Sequence, residues 1–229
     1  MEYPHNRPYT ADDLVRIITL LRDPVNGCPW DKVQTHTSIR MNFLEEAYEA
    51  VDALDLDDPV LMCEELGDVL MQVAFHTCME QETGRFTWEQ VCDGVCQKLI
   101  ERHPNIFGTQ SGYEGITDWD ALKNKEKGRR TLADDLESVP RAMPALMRAA
   151  KLQKRAARHG AALQGADAAA LADAAENLQT AQPASAQAEQ AVGELLFAAA
   201  NLARQAGVDP EQALQKVNEA FCTAAGPVA

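Results

Sequence analysis

The sequence predicts an all-α protein, a helical bundle, and three observations carry that expectation. Helix caps and breakers recur along the whole chain, apolar residues return at helical spacing, and no segment alternates with the two-residue period of a strand. Thr10 opens a first helix, with Asp12 and Asp13 in its first turn, and Asp23-Pro24 stops it. The following stretch DPVNGCPWDKVQTHTS reads as a loop, broken by two prolines and Asn-Gly. A second helix runs from about Ile39 to Leu56, where DLDDP ends it, and a third from about Val60 to Gln81. After the turn ETGRF, Thr87 caps a fourth helix over residues 88–102, closed by HPNIFG. A further helix is expected from Trp119 to Arg130.

The totals bound the function. The 229 residues are 46% hydrophobic and 24% charged, and no apolar run approaches the ~20 residues of a membrane span. The N-terminal MEYPHNRPYTADD lacks an apolar signal core, so export is not expected and a cytoplasmic location is. Six irregularly spaced cysteines, mostly in apolar helical patterns, read as reduced, buried thiols rather than a disulfide framework. A net charge of −14 excludes nucleic acid as a generic partner, since phosphate binding needs a basic stripe. It suits a protein that collects divalent cations.

Composition shifts near residue 130. All three tryptophans and only six alanines precede that point, while residues 131–229 hold thirty-one alanines. EELGDVLMQVAFH, from Glu64, is echoed by QAVGELLFAAANL, from Gln190, with Gly67 falling on Gly193. WEQVCDGVCQKL falls on PEQALQKVNEAF, and PALMRAAKLQKRAARHG follows the pattern of the first helix. Two copies of one helical unit are therefore expected, over 1–130 and 131–229, the second degenerate and structural. In it Glu65 aligns with Ala191, Asp68 with Glu194, Lys98 with Ala220 and Arg102 with Ala224. Apolar positions such as Leu195, Leu196, Phe197 and Leu202 survive, which keeps packing and discards chemistry.

The clusters EEAYE (45–49) and EELGD (64–68) dominate the first unit. At 100° per residue, Leu44, Ala47, Tyr48, Val51 and Leu54 share one face of the second helix. Glu45, Glu46, Glu49 and Asp52 lie opposite. On the third helix Glu64, Glu65 and Asp68 share an arc opposite Leu66, Val69, Leu70, Val73 and Ala74. One acidic stripe is ordinarily just a solvated face. Here, however, no Lys or Arg occurs from Glu45 to Glu82, and like charges at i,i+3 and i,i+4 destabilise a helix. Two neighbouring helices can converge such carboxylates on one point, offering only hard oxygen ligands. Magnesium favours that set. Zinc would want His or Cys, and a di-iron bundle site would need Glu-x-x-His twice.

EEAYE…EELGD resembles the EExxE–EExxD signature of the all-α nucleoside triphosphate pyrophosphohydrolases. LRDPVNGCPWDKVQTHTS and KLIERHPNIFG resemble the MazG proteins in particular, and the likeness runs over roughly residues 12–130. It implies cleavage of nucleoside triphosphates between the α- and β-phosphates, giving the monophosphate and pyrophosphate. It also implies magnesium, with manganese as a substitute, and a homodimer whose helices build bundles around the site. The implied metal ligands are Glu46, Glu49, Glu65 and Asp68. Glu45 and Glu64 stand beside them, and Glu45 orients or deprotonates the attacking water. Lys98, Arg102 and Lys123 are the implied phosphate contacts, and Trp119 the surface on which the base stacks. Leu61 stands where some members carry a further lysine.

His36, His76 and His103 are expected to be structural or to support the ligands. Trp30 is expected to be a packing anchor, and Cys92 and Cys96 core residues. Two alternatives share the acidic signature: an enzyme restricted to dUTP, dCTP or phosphoribosyl-ATP, and a catalytically silent protein that binds nucleotide or metal. GCPWD and RHPNIFG argue against the first, and the intact ligand set against the second.

Overall fold

A computed structural model describes residues 3–5, 7–108, 128 and 131–226. Every regular element among them is helical, as the sequence predicts. The chain divides into two compact units, Met1–Ile116 and Thr117–Ala229. The expected border at residue 130 falls inside the second. The helix expected from Trp119 to Arg130 lies outside the described residues, save Gly128.

In the first unit α1 covers Ala11–Leu21, α2 His36–Leu56, α3 Pro59–Glu82, α4 Trp88–Arg102 and α5 Pro104–Phe107. Thr10 caps α1 and Thr87 caps α4, each through a reciprocal box with the residue three positions on. The second helix begins three residues before the expected Ile39, because Thr35 and Ser38 form the same box. HPNIFG does more than end α4: it adds the single turn of α5. The link between α2 and α3 is very short. Asp57 takes the left-handed conformation (φ 53°), and Asp58 caps α3 ahead of Pro59 at its first turn. Such a link forces α2 and α3 to pack along each other, and both bring their carboxylates to that pairing.

The core joins Val15 and Ile18 of α1, Ile39 of α2, Ala74, Phe75, Cys78 and Met79 of α3, and Trp88 of α4. The loop between α1 and α2 is pinned from below by Arg22. Its guanidinium grips Glu82 at 2.5 and 2.8 Å and donates to the carbonyls of Asp31 and Gln34 at 2.7 and 3.2 Å. Gly27 folds back on α1, and a Cβ there would stand 2.4 Å from the carbonyl oxygens of both Leu21 and Asp23. Only glycine fits that approach. Trp30 departs from expectation: it is 56% exposed and packs into no core. The cysteines are free thiols as expected, but only Cys78 is buried. Cys92 packs at the core's edge, whereas Cys96 points to solvent.

The second unit holds α6 (Leu132–Glu137), α7 (Ala145–Arg158), α8 (Ala168–Thr180), α9 (Ala186–Gln205) and α10 (Pro210–Ala225). The pair α8–α9 packs along its length, α7 lies on α9, and α10 meets both α7 and α9. Its core is built from alanine: Ala156, Ala166, Ala174, Ala191, Ala198 and Ala200 are buried. Leucines expected to carry the packing do less, and Leu196 is 43% exposed. Small side chains let helix backbones approach closely, so the larger apolar groups are not drawn inside. A buried Asp135 binds Arg155 at 2.8 Å and His159 at 3.2 Å, and ties α6 to α7.

Candidate active site

Helix geometry alone puts two acidic arcs on α2 and α3; the short Asp57-Asp58 link turns them toward each other. Carboxylate oxygens of Glu46, Glu49 and Glu65 lie within 4.8 Å of one another. Glu46 and Glu65 are half-buried and Glu49 is exposed. Asp68, the fourth expected ligand, stays outside that set, although its charge acts on both Glu46 and Glu65. Glu45 and Glu64 are exposed beside the cluster.

The cluster is electrostatically unsatisfied. Burial first, then the charges of Asp68, Glu49 and Glu45, push the Glu46 carboxyl above its ordinary value of 4.5, against a hydrogen bond from Gln72. Partial desolvation, then Glu49, Asp68, Glu64 and Glu46, push Glu65 the same way. Like charges held this close resist ionisation. Among the described residues no Lys or Arg forms an ion pair with any of the cluster. The donor set is oxygen throughout, which fits a hard divalent cation such as magnesium and not zinc.

The apolar faces expected to bury α2 and α3 are largely open. Tyr48, Val51 and Leu54 are 52, 49 and 51% exposed, and Leu66 is 50% exposed. The two helices meet instead through small residues and the acidic side: Ala50 and Ala53 are buried, and Gln72 bonds Glu46. Tyr48, Val51, Leu54 and Leu66 stay open, whereas Val73 and Ala74, further along the same side of α3, pack in the core.

The MazG nucleotide pyrophosphohydrolase domain matches residues 34–107, a span containing both acidic clusters and α4. A nucleoside triphosphate pyrophosphohydrolase of Escherichia coli K12 is 41% identical over 219 residues, covering 92% of this chain and 83% of the relative. The nucleoside triphosphate pyrophosphohydrolase/pyrophosphatase MazG of Thermotoga maritima is 38% identical over 212 residues, covering 92% and 82%. The chain belongs to the MazG family. The Bacillus subtilis protein YabN is 44% identical over 141 residues, 60% of this chain and 28% of its own length.

Lys98 and Arg102 lie one turn apart on α4, the former exposed and the latter half-buried, beyond the Trp88–Cys92 end that joins the core. Trp119 and Lys123 lie outside the described residues. His36 and His76 stack at 5.0 Å, their Nδ1 atoms 2.7 Å apart, and His36 Nε2 meets Glu80 at 2.5 Å. His103 Nδ1 holds the Leu99 carbonyl at 2.7 Å.

Gln72 is the residue that sequence reasoning missed. It is 7% exposed and donates through Nε2 to Glu46 Oε1 at 3.3 Å. A signal existed: Gln72 is the polar residue in VLMQVAF, one turn after Asp68 and one turn before His76. Asp68, Gln72, His76 and Glu80 form a single polar line on α3. Gln72, His76 and Glu80 each meet a side chain of α2.

Proposed function

We propose that this MazG chain hydrolyses nucleoside triphosphates to the monophosphate and pyrophosphate, with magnesium held by Glu46, Glu49, Glu65 and Asp68. The observation that carries the reading is the convergence of Glu46, Glu49 and Glu65 across the α2–α3 pair. Nucleoside triphosphate pyrophosphohydrolase also stands in the names of the Escherichia coli and Thermotoga maritima relatives, each matched over 92% of this chain. Magnesium, when bound, supplies charge neutralisation at the phosphates and Lewis-acid activation of water.

The chain's residues do the rest. Glu45, exposed beside the cluster, takes the proton of the attacking water as its oxygen bonds to the α-phosphorus. The bond from that phosphorus to the bridging oxygen breaks, and pyrophosphate leaves. Lys98, Arg102 and Lys123 neutralise the phosphates that the carboxylates repel, and Trp119 stacks on the base. Stacking accepts any base, so broad nucleotide use is expected.

The working form is a homodimer. The open apolar faces of α2 and α3 support this, because such a surface is costly to leave in water. Six free thiols suit the reducing cytoplasm. The second unit is a degenerate copy of the first. In support, each unit pairs its second and third long helices and packs the first on the third.

Pyrophosphate release from a panel of ribo- and deoxyribonucleoside triphosphates with magnesium tests the reading. Release from several, lost in Glu46→Gln, is expected; no release from any would sink it.

A further inference from the structure

A cavity of about 590 Å³ opens in the second unit, between α7, the end of α9 and the start of α10. Lys151, Lys154 and Arg204 line it, together with Met143, Met147 and Val208. Nothing in the nucleotide chemistry of the first unit uses it.

The charge there needs a reason. The chain carries a net −14, yet α7 has five of its 21 Lys and Arg within fourteen residues and no acidic residue. Lys151 and Lys154 stand three apart and repel each other, as like charges at this spacing do. Among the described residues neither makes an ion pair or a hydrogen bond to a carboxylate. Arg204 donates through Nε and Nη2 to Asn201 Oδ1, at 3.0 and 2.8 Å. That partner is a neutral amide, so it orients the guanidinium and leaves its charge intact.

The nearby acids are already committed. Asp209, on the cavity wall, caps α10 by accepting from the backbone N–H groups of Glu211 and Gln212 at 3.0 and 3.1 Å. Glu211 accepts from the backbone N–H of Met147 at 3.2 Å. Three cations therefore face one cavity with a single, helix-engaged carboxylate among them. Apart from these charged groups the lining is apolar or glycine, and the volume is that of a small-molecule site.

We propose that this cavity is a second ligand site for a small organic phosphate of nucleotide size. Lys151, Lys154 and Arg204 take the phosphate through charge-assisted hydrogen bonds. Met143, Met147 and Val208 take the apolar body. The site would let a phosphorylated metabolite bind the unit that, among the described residues, holds no set of carboxylates close enough to share a cation.

Calorimetric titration of the full chain with AMP and with inorganic phosphate, in excess EDTA, tests the proposal. Chelation matters because the metal-free carboxylates of the first unit repel phosphate. Saturable AMP binding is expected, at least tenfold tighter than phosphate. It should weaken at least tenfold in Lys151→Ala/Lys154→Ala and be unchanged in Glu46→Gln. Lys154 is exposed, so Lys154→Gln alone, with helix content checked by circular dichroism, guards against misfolding and should weaken AMP about threefold. Absence of AMP binding overturns the proposal. So does equal binding by the lysine variants, loss of binding in Glu46→Gln, or phosphate binding as tightly as AMP.

Discussion

Gln72 reaches across the helix pair to Glu46, its amide nitrogen 3.3 Å from Oε1, and is the sole hydrogen-bond donor to the acidic cluster among the described residues. Its bond favours the ionised carboxylate, the form that a cation requires. Gln72→Leu keeps the volume and removes the donor. Magnesium affinity should fall about tenfold, in line with about 1.5 kcal/mol for a hydrogen bond to a charged group. Calorimetric magnesium titration reads this directly; an unchanged dissociation constant would show that the contact does not position Glu46.

Glu46→Gln and Asp68→Asn should each abolish turnover and leave the fold intact. Each removes one charge from a mutually repelling set. The metal-free melting temperature should therefore stay level or rise. A variant with near wild-type rate at saturating magnesium would contradict the ligand assignment.

His76 sets a pH dependence. Burial, then the neighbouring His36, lowers its pKa from the ordinary 6.5. Above pH 6.5 it is neutral in folded and unfolded chains alike, and its stability contribution is fully present. As pH falls below 6.5 the unfolded chain binds the proton first, so stability is lost down through the folded value. Denaturant titrations between pH 7.5 and 5 should show that decline, and His76→Gln should flatten it. An equal slope in both proteins would refute the assignment.

Gly27→Ala should destabilise the loop between α1 and α2. The added Cβ meets two backbone carbonyls that cannot swing aside, and a loss of roughly 1–3 kcal/mol is expected. Thermal unfolding measures it, and a neutral result would mean the loop adjusts freely.

A chain ending at residue 130 should keep pyrophosphate release per site, since the acidic cluster and its supports lie in the first compact unit. If that chain folds and dimerises yet is inactive, or if Glu194→Ala silences the full chain, the second unit takes part in catalysis.

Local chemistry made much of this protein legible in its sequence. Caps at Thr10 and Thr87 and the break at Asp57-Asp58 act within one helical turn, so the boundaries of α1, α3 and α4 could be read directly. The acidic clusters were equally visible, because i,i+3 and i,i+4 spacing fixes which side chains share a face. What lay beyond reach was which face meets which neighbour. Periodicity marks Tyr48, Val51, Leu54 and Leu66 as an apolar stripe, but it says nothing of whether the same chain covers it. The short turn at Asp57-Asp58 swings the acidic seam inward and leaves that stripe open. Gln72 and the pair His36–His76 acquire their partners 26 and 40 residues away through the same turn. Contacts at that separation depend on helix packing, and only the tertiary structure decides them.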